Sequence, residues 1–191
     1  VRLKLANQKQ ANQEQEERRK REWERFEDLN TMLPVLIQGQ DYSRVMDVLH
    51  SMAFQSSDVK SALEAKVYLY SGAQAFMEQL SRDLAGKPWR GTVRRVDGAE
   101  LSGSVTGVDG LQLRLSLEQG AVILPMEEVS PRTLVEMASA FTAEVTDSTD
   151  YYRRQELTAV FARVNGLSAV SAAIAAPLME ENRDFRMRWL K

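Results

Sequence analysis

The sequence has no cysteine, which removes disulfides, thiolate metal sites and thiol nucleophiles together. It has a single histidine, His50, so a His-based metal site cannot be assembled and any Ser-His-Asp relay would pass through that one residue. No Gly-x-Ser-x-Gly elbow, Gly-x-Gly-x-x-Gly turn, Walker A loop or His-Glu-x-x-His pair occurs. No charge of one sign dominates: Lys and Arg number 25 against 27 Asp and Glu, so the whole chain carries no basic nucleic-acid footprint. No run of 18 apolar residues is present, so no segment reads as a membrane span. No apolar leader with a small-residue cleavage site follows Val1, and the missing initiator Met makes the chain read as a fragment or processed product. Freedom from cysteine suits several compartments and leaves the location open.

Polar helix formers fill the first zone. Residues 7–21 read NQKQANQEQEERRKR, with Ala11 the only apolar residue and no Gly or Pro. Glu14 and Arg18, Glu16 and Lys20, and Glu17 and Arg21 stand four apart with the acid first, the favourable order on a helix. Residues 1–22 are therefore expected to form a charged helical stalk. An apolar stripe begins at Trp23 and continues through Phe26, Leu29, Leu33 and Ile37. Gly39-Gln40-Asp41-Tyr42 interrupts it, with Asp41 as a helix N-cap. Two further helical stripes follow, Tyr42 to Met52 and Val59 to Leu84, so residues 23–86 read as helical hairpins. Gly72 sits within the second stripe, where Ala is expected to be neutral or stabilising unless packing requires the small residue.

Residues 87–130 change period. Gly91-Thr-Val-Arg-Arg-Val-Asp-Gly98 is echoed by Gly103-Ser-Val-Thr-Gly-Val-Asp-Gly110. Asp-Gly between apolar runs predicts two tight hairpins of type I′, with Gly98 and Gly110 at positive φ. Leu111, Leu113, Leu115 and Leu117 alternate with polar residues, the period of a half-buried strand. Glu118-Gln119-Gly120 predicts a third turn before a fourth strand. So small a meander needs closure or a covering layer, which predicts an SH3-like antiparallel barrel of four or five strands. Residues 131–191 return to helix, opened by Ser130-Pro131 with proline at the first helical position. The fold class expected is α+β, helical hairpins on either side of the barrel packing together.

Few residues point to chemistry. Glu127-Glu128 is the best acidic pair, but neighbours on an extended or turning segment point apart. Trp89, Arg90, Arg94 and Arg95 form the one basic–aromatic cluster of the β zone, the ingredients of a single-strand RNA platform. The zone is nonetheless near neutral: Lys87, Arg90, Arg94, Arg95 and Arg114 stand against Asp97, Glu100, Asp109, Glu118, Glu127 and Glu128. No catalytic, cofactor or metal-binding residue is assigned. The candidate binding surface is Tyr42, Trp89, Arg90 and Arg94, because aromatic and Arg anchors dominate interfaces.

Two segments, Gly39-Gln-Asp-Tyr-Ser-Arg-Val45 and Asn165-Gly-Leu-Ser-Ala-Val170, resemble the corners that open helices in tetratricopeptide-like hairpins. The Gly-x-Val-x-x-Val-Asp-Gly strands, the corner Leu124-Pro-Met-Glu-Glu-Val-Ser-Pro131 and the helix after it resemble C-terminal accessory regions of membrane-anchored bacterial Ser/Thr protein kinase-like proteins. The resemblance implies a non-catalytic accessory region joined by a helical linker to an upstream membrane anchor, and an extracytoplasmic setting. It transfers no functional residue. The function expected is a protein-interaction or sensory module of a larger bacterial protein, with a protein or peptide partner and no cofactor. An RNA-binding small barrel on a helical platform is the alternative, and a hydrolase stands third.

Overall fold

A computed structural model describes residues 2–190, with side chains described from residue 8 onward. Helix α1 (Arg2–Ile37) is solvated along residues 8–21, as its all-polar composition requires. Contact with the body starts at Arg19, itself still exposed, and is completed at Glu22. Glu22, buried, accepts hydrogen bonds from the backbone N–H groups of Gln55 and Ser56, both at 2.8 Å. These donors lie at the start of α3 (Ser57–Gly86), so a carboxylate from one helix satisfies the amino end of another. The Ser56 hydroxyl and those two N–H groups hold the Glu22 carboxyl below its usual range. Beside it, Arg19 Nε and Trp23 Nε1 donate to Asp58 Oδ2 at 2.7 and 3.0 Å, and Arg19 with Trp23 lowers that carboxyl too. Phe26, Leu29 and Leu33 then enter the core, as the stripe predicted.

Helix α2 (Tyr42–Ser51) is capped by Asp41, whose Oδ1 accepts from Arg44 N. It packs on α3, and α3 packs in turn on α5 (Ser148–Val164), opened by Asp147 as its cap. Helical hairpins are thus present on both sides of the sheet in sequence. Gly72 lies where α3 meets α5. A Cβ there would stand 2.8 Å from Val160 Cγ1, so small size matters at this crossing and Ala is not the neutral exchange helix propensity alone suggests. Helices α6 (Ser168–Glu181) and α7 (Arg183–Trp189) finish the chain, with α6 running unbroken through Pro177. Phe185 and Trp189 of α7 stack at 5.3 Å, and Arg163 of α5 covers the Trp189 ring.

Strands β1 (Trp89–Arg94), β2 (Glu100–Asp109), β3 (Gln112–Leu117) and β4 (Gly120–Pro125) form an antiparallel sheet in sequence order. The expected SH3-like closed barrel is not formed: the sheet is open. Among the described residues the one approach to closure is an antiparallel bridge, Arg95 to Val129, where the chain returns after a 3-10 turn (Met126–Glu128). The open face is covered instead by helix, α3 against β2 and α4 (Pro131–Thr142) against β1. Leu113, Leu115, Val93 and Val105 point into one core shared with Phe76, Leu134 and Phe161. Mixed helix and sheet, seven α-helices with four strands among the described residues, is the architecture.

The turns differ in detail from type I′ Asp-Gly pairs. Between β2 and β3 the paired ends are Asp109 and Gln112, so Gly110 and Leu111 are the central residues, and only Gly110 has positive φ, at 57°. Between β1 and β2 the loop is longer. Gly98 N donates to Arg95 O, Arg95 N donates to Ala99 O, and Gly98 takes φ 88°. Val at either glycine is expected to cost about 1 kcal/mol or more, because a β-branched side chain resists φ > 0. Urea titration of Gly98→Val and Gly110→Val measures this; two silent variants would show that these loops relax to negative φ freely.

Candidate functional site

Helix α1 ends just past Pro34, whose missing N–H leaves the last turn without one internal bond. The reversal that follows is closed by Gln40 N donating to Ile37 O at 2.9 Å. Its left-handed position falls not on Gly39 but on Gln40, φ 55°, the sole non-glycine residue at positive φ among those described. Gln40 is 5% exposed. Its Nε2 reaches Val129 O at 3.5 Å, and its Oε1 is buried with no partner. A strained backbone and an unpartnered acceptor on one residue are the features that mark working sites.

Clefts open on both sides of Gln40. One, of about 540 Å³, lies between the end of α1, the β1–β2 loop, the 3-10 turn and the end of α5. Pro34, Ile37, Val96, Val129, Pro131 and Val164 wall it, and Glu127 is its one charged group. Val96 is 63% exposed at its mouth. The other, of about 620 Å³, runs between the start of α2, the middle of α3 and the β2–β3 turn, and is lined more by polar groups, including Asp41, Glu78 and Arg82.

The four residues expected to form a binding surface do not come together as one. Tyr42 is buried; its ring lies edge-on to Phe161 and its hydroxyl accepts from Asn165 Nδ2 at 2.8 Å. Burial raises its pKa, only partly offset by the Asn165 donor. It is a core anchor that backs the corner, not an exposed contact. Trp89 is half-buried against the core, with its indole laid over Gly91, where a Cβ would strike the ring. Arg94 is tied to Glu136 at 2.8 Å and Glu100 at 3.1 Å, and the Glu136 charge holds its guanidinium above the usual value. Of the four, only Arg90 is exposed. Arg95, the third base of that cluster, is engaged by Glu128 and Asp97.

His50 is exposed on α2. Glu127 faces the smaller cleft while Glu128 turns to Arg95, so the two carboxylates diverge as neighbours on a turn should. Among the described residues no three or more His, Asp or Glu side chains gather as a metal cluster would need. No helix among them is long and apolar enough to cross a membrane. Gln40, Asn165 and Val96 escaped the sequence reading as site residues. The corner itself was visible at Gly39-Gln40, but the pattern placed the unusual conformation on neither residue, and Asn165 read only as a helix end. No family model, no curated protein and no solved structure matches the chain.

Proposed function

We propose that the chain is a protein-interaction module that seats an aliphatic side chain of a partner protein in the cleft walled by Pro34, Val96 and Pro131. The observation that carries the reading is Gln40: a residue at a strained backbone position, lining a cleft of mainly apolar walls, whose buried amide oxygen has no donor. Pockets that bind are of this kind, apolar walls with a few fixed polar groups for orientation. A partner's backbone N–H is the donor that suits it. On this reading the chain is an accessory part of a larger bacterial protein, with α1 as the joining helix. The RNA alternative is weakened by the pairing of Arg94 and Arg95 with acids, which leaves the β zone without a free cationic stripe.

The test uses the smallest probe with both features, N-acetyl-leucine methylamide, titrated at millimolar concentration against the 15N-labelled chain. Amide shifts should concentrate at Val96, Val129 and Val164, and Gln40→Met should weaken the response severalfold while leaving the thermal midpoint close to the parent's. Shifts scattered elsewhere, or an unchanged response in Gln40→Met, would refute the cleft. Turnover of generic ester, phosphate or peptide substrates that disappears in His50→Ala or in Glu127→Gln with Glu128→Gln would replace the reading with a hydrolase.

A further inference from the structure

The two edges of the sheet are finished differently. The β1 edge carries Arg90 and Arg94 and is closed at its end: Ser130 N donates to Arg94 O, Val96 N donates to Glu128 O, and Arg94 N donates to Thr133 Oγ1 of α4. These are the usual protections of an edge, charge and cover. The β4 edge has neither along Gly120–Leu124. That segment, Gly-Ala-Val-Ile-Leu, holds no charged residue. It pairs with β3 through six consecutive positions without a bulge, whereas the β2–β3 pairing is broken by one at Val105/Gly107. Ile123 is 59% exposed.

The outward groups can be named. Met126 N donates to Leu111 O, so 111 and 126 form a hydrogen-bonded pair. Hydrogen-bonded and non-bonded pairs alternate along an antiparallel ladder, so Leu113 with Leu124 and Leu115 with Val122 are bonded pairs as well. The residues between them, Ala121 and Ile123, turn their N–H and C=O groups away from β3. No loop, cap or side-chain hydrogen bond reaches either residue among those described.

We propose that β4 is a docking edge for an extended peptide strand with an uncharged centre and basic flanks. The charges at the ends of β4 select that partner. Glu118 stands exposed in the turn before the strand and Glu127 stands exposed just after it. A second copy of the chain meets these charges badly. If Ala121 pairs antiparallel with Ile123 of a second copy, Glu118 falls opposite Met126 and beside Glu127. If Ile123 pairs with itself, Glu118 falls opposite Glu128. Both registers bring Glu118 of each copy to the 3-10 turn of the other, where Glu127 is exposed, and like charges brought together there are unfavourable. Lys or Arg on an incoming peptide reverses that sign, while main-chain hydrogen bonds to Ala121 and Ile123 supply the join. The edge makes its main-chain bonds apart from the Gln40 cleft and shares with it only Glu127 at the strand's end, and the peptide would extend the sheet without entering the cleft.

The probe is the synthetic peptide Lys-Lys-Thr-Val-Thr-Val-Lys-Lys, fluorescently tagged, measured by anisotropy and by amide shifts of the intact 15N-labelled chain at low salt. Saturable binding with the largest shifts at Ala121 and Ile123 is expected. Ile123→Pro removes an outward N–H at an edge position where proline is tolerated and should weaken binding tenfold or more. Glu118→Lys should weaken it severalfold, and Gln40→Met should leave it unchanged, which separates this edge from the cleft. A peptide N-methylated at its central Thr and Val should bind tenfold or more weakly to the unaltered protein, a check that does not depend on any variant folding. The proposal is overturned by absent binding at millimolar peptide, by equal binding of a Glu-flanked peptide, or by binding that ignores both Ile123→Pro and N-methylation. Self-association of the chain alone, abolished by Ile123→Lys in sedimentation, would hand the edge to a second copy and overturn it as well.

Discussion

Phe161→Ala is expected to destabilise the protein by about 3–5 kcal/mol, the cost of deleting a large aromatic ring from a core that cannot collapse around the gap. Phe161 is fully buried on α5. It stacks on Phe76 of α3 with ring centroids 4.0 Å apart and meets Tyr42 of α2 edge-on at 6.1 Å. Three helices therefore share this one ring. The gap could close only if α3 and α5 moved together, and Gly72 against Val160 already sets their approach. Urea unfolding with an unchanged m-value is the measurement, and a loss under about 1.5 kcal/mol would mean that the three helices repack around the missing ring. Because Tyr42 leans on the same ring, Tyr42→Ala should also fail through stability, and its loss of binding would say nothing about contact with a partner.

Removing Asp83 should have the next largest effect. Arg154 NH1 meets Asp83 Oδ2 at 2.7 Å between α3 and α5, with side chains only 14% and 12% exposed. Arg154 Nε also meets Asp150 at 2.7 Å, one turn back on α5. Asp83→Ala leaves a largely desolvated guanidinium with that one remaining partner, and about 3 kcal/mol of stability should go with it. The sharper check is the double exchange Asp83→Leu with Arg154→Met. Replacing both charges by apolar groups strands neither, so the double variant should be more stable than Asp83→Ala alone. A double variant weaker than the single one would show that the pair contributes net attraction well beyond its desolvation cost.

What was legible in the sequence was local. Trp23, Phe26, Leu29 and Leu33 declared a helix face by spacing, Ser130-Pro131 declared a helix start, and Leu113 and Leu115 declared a buried strand face by alternation; Phe26, Leu29, Leu33, Leu113 and Leu115 are buried, Trp23 is half-buried against the core, and α4 starts at Pro131. Leu111 shows where the pattern overreaches: it shares the alternation but occupies the turn, and it is exposed. The rest depended on partners far away in the chain. Tyr42 is buried because Phe161 and Asn165 meet it, Arg94 is neutralised because α4 brings Glu136 to it, and Gly72 is needed because Val160 crosses there. No window around any of these residues contains its partner. The barrel failed for the same reason. Twist and turns can be read from nearby residues, but closure depends on a last strand, and here the returning chain gives one bridge at Val129 and then turns into α4. The site at Gln40 was half legible, as a corner whose strained residue only the backbone reveals.

The fastening of α1 at Arg19, Glu22 and Trp23 has a mechanical meaning. All four bonds gather within about one turn of the helix, while residues 2–18 continue the helix beyond it, the side chains of residues 8–18 being exposed. At 1.5 Å per residue that projection is an arm of about 25 Å. The clamp is then a fulcrum, and displacement scales with distance from it: a tilt of about 10° moves the tip by about 4 Å while atoms at the fulcrum shift by a small fraction of that. On the inner side the helix is held in the core by Phe26, Leu29 and Leu33 and ends at Ile37, a wall of the Gln40 cleft. A load applied to the arm is therefore taken up at the clamp and at the core face behind it, with Pro34, where one helix hydrogen bond is missing, between that face and the cleft.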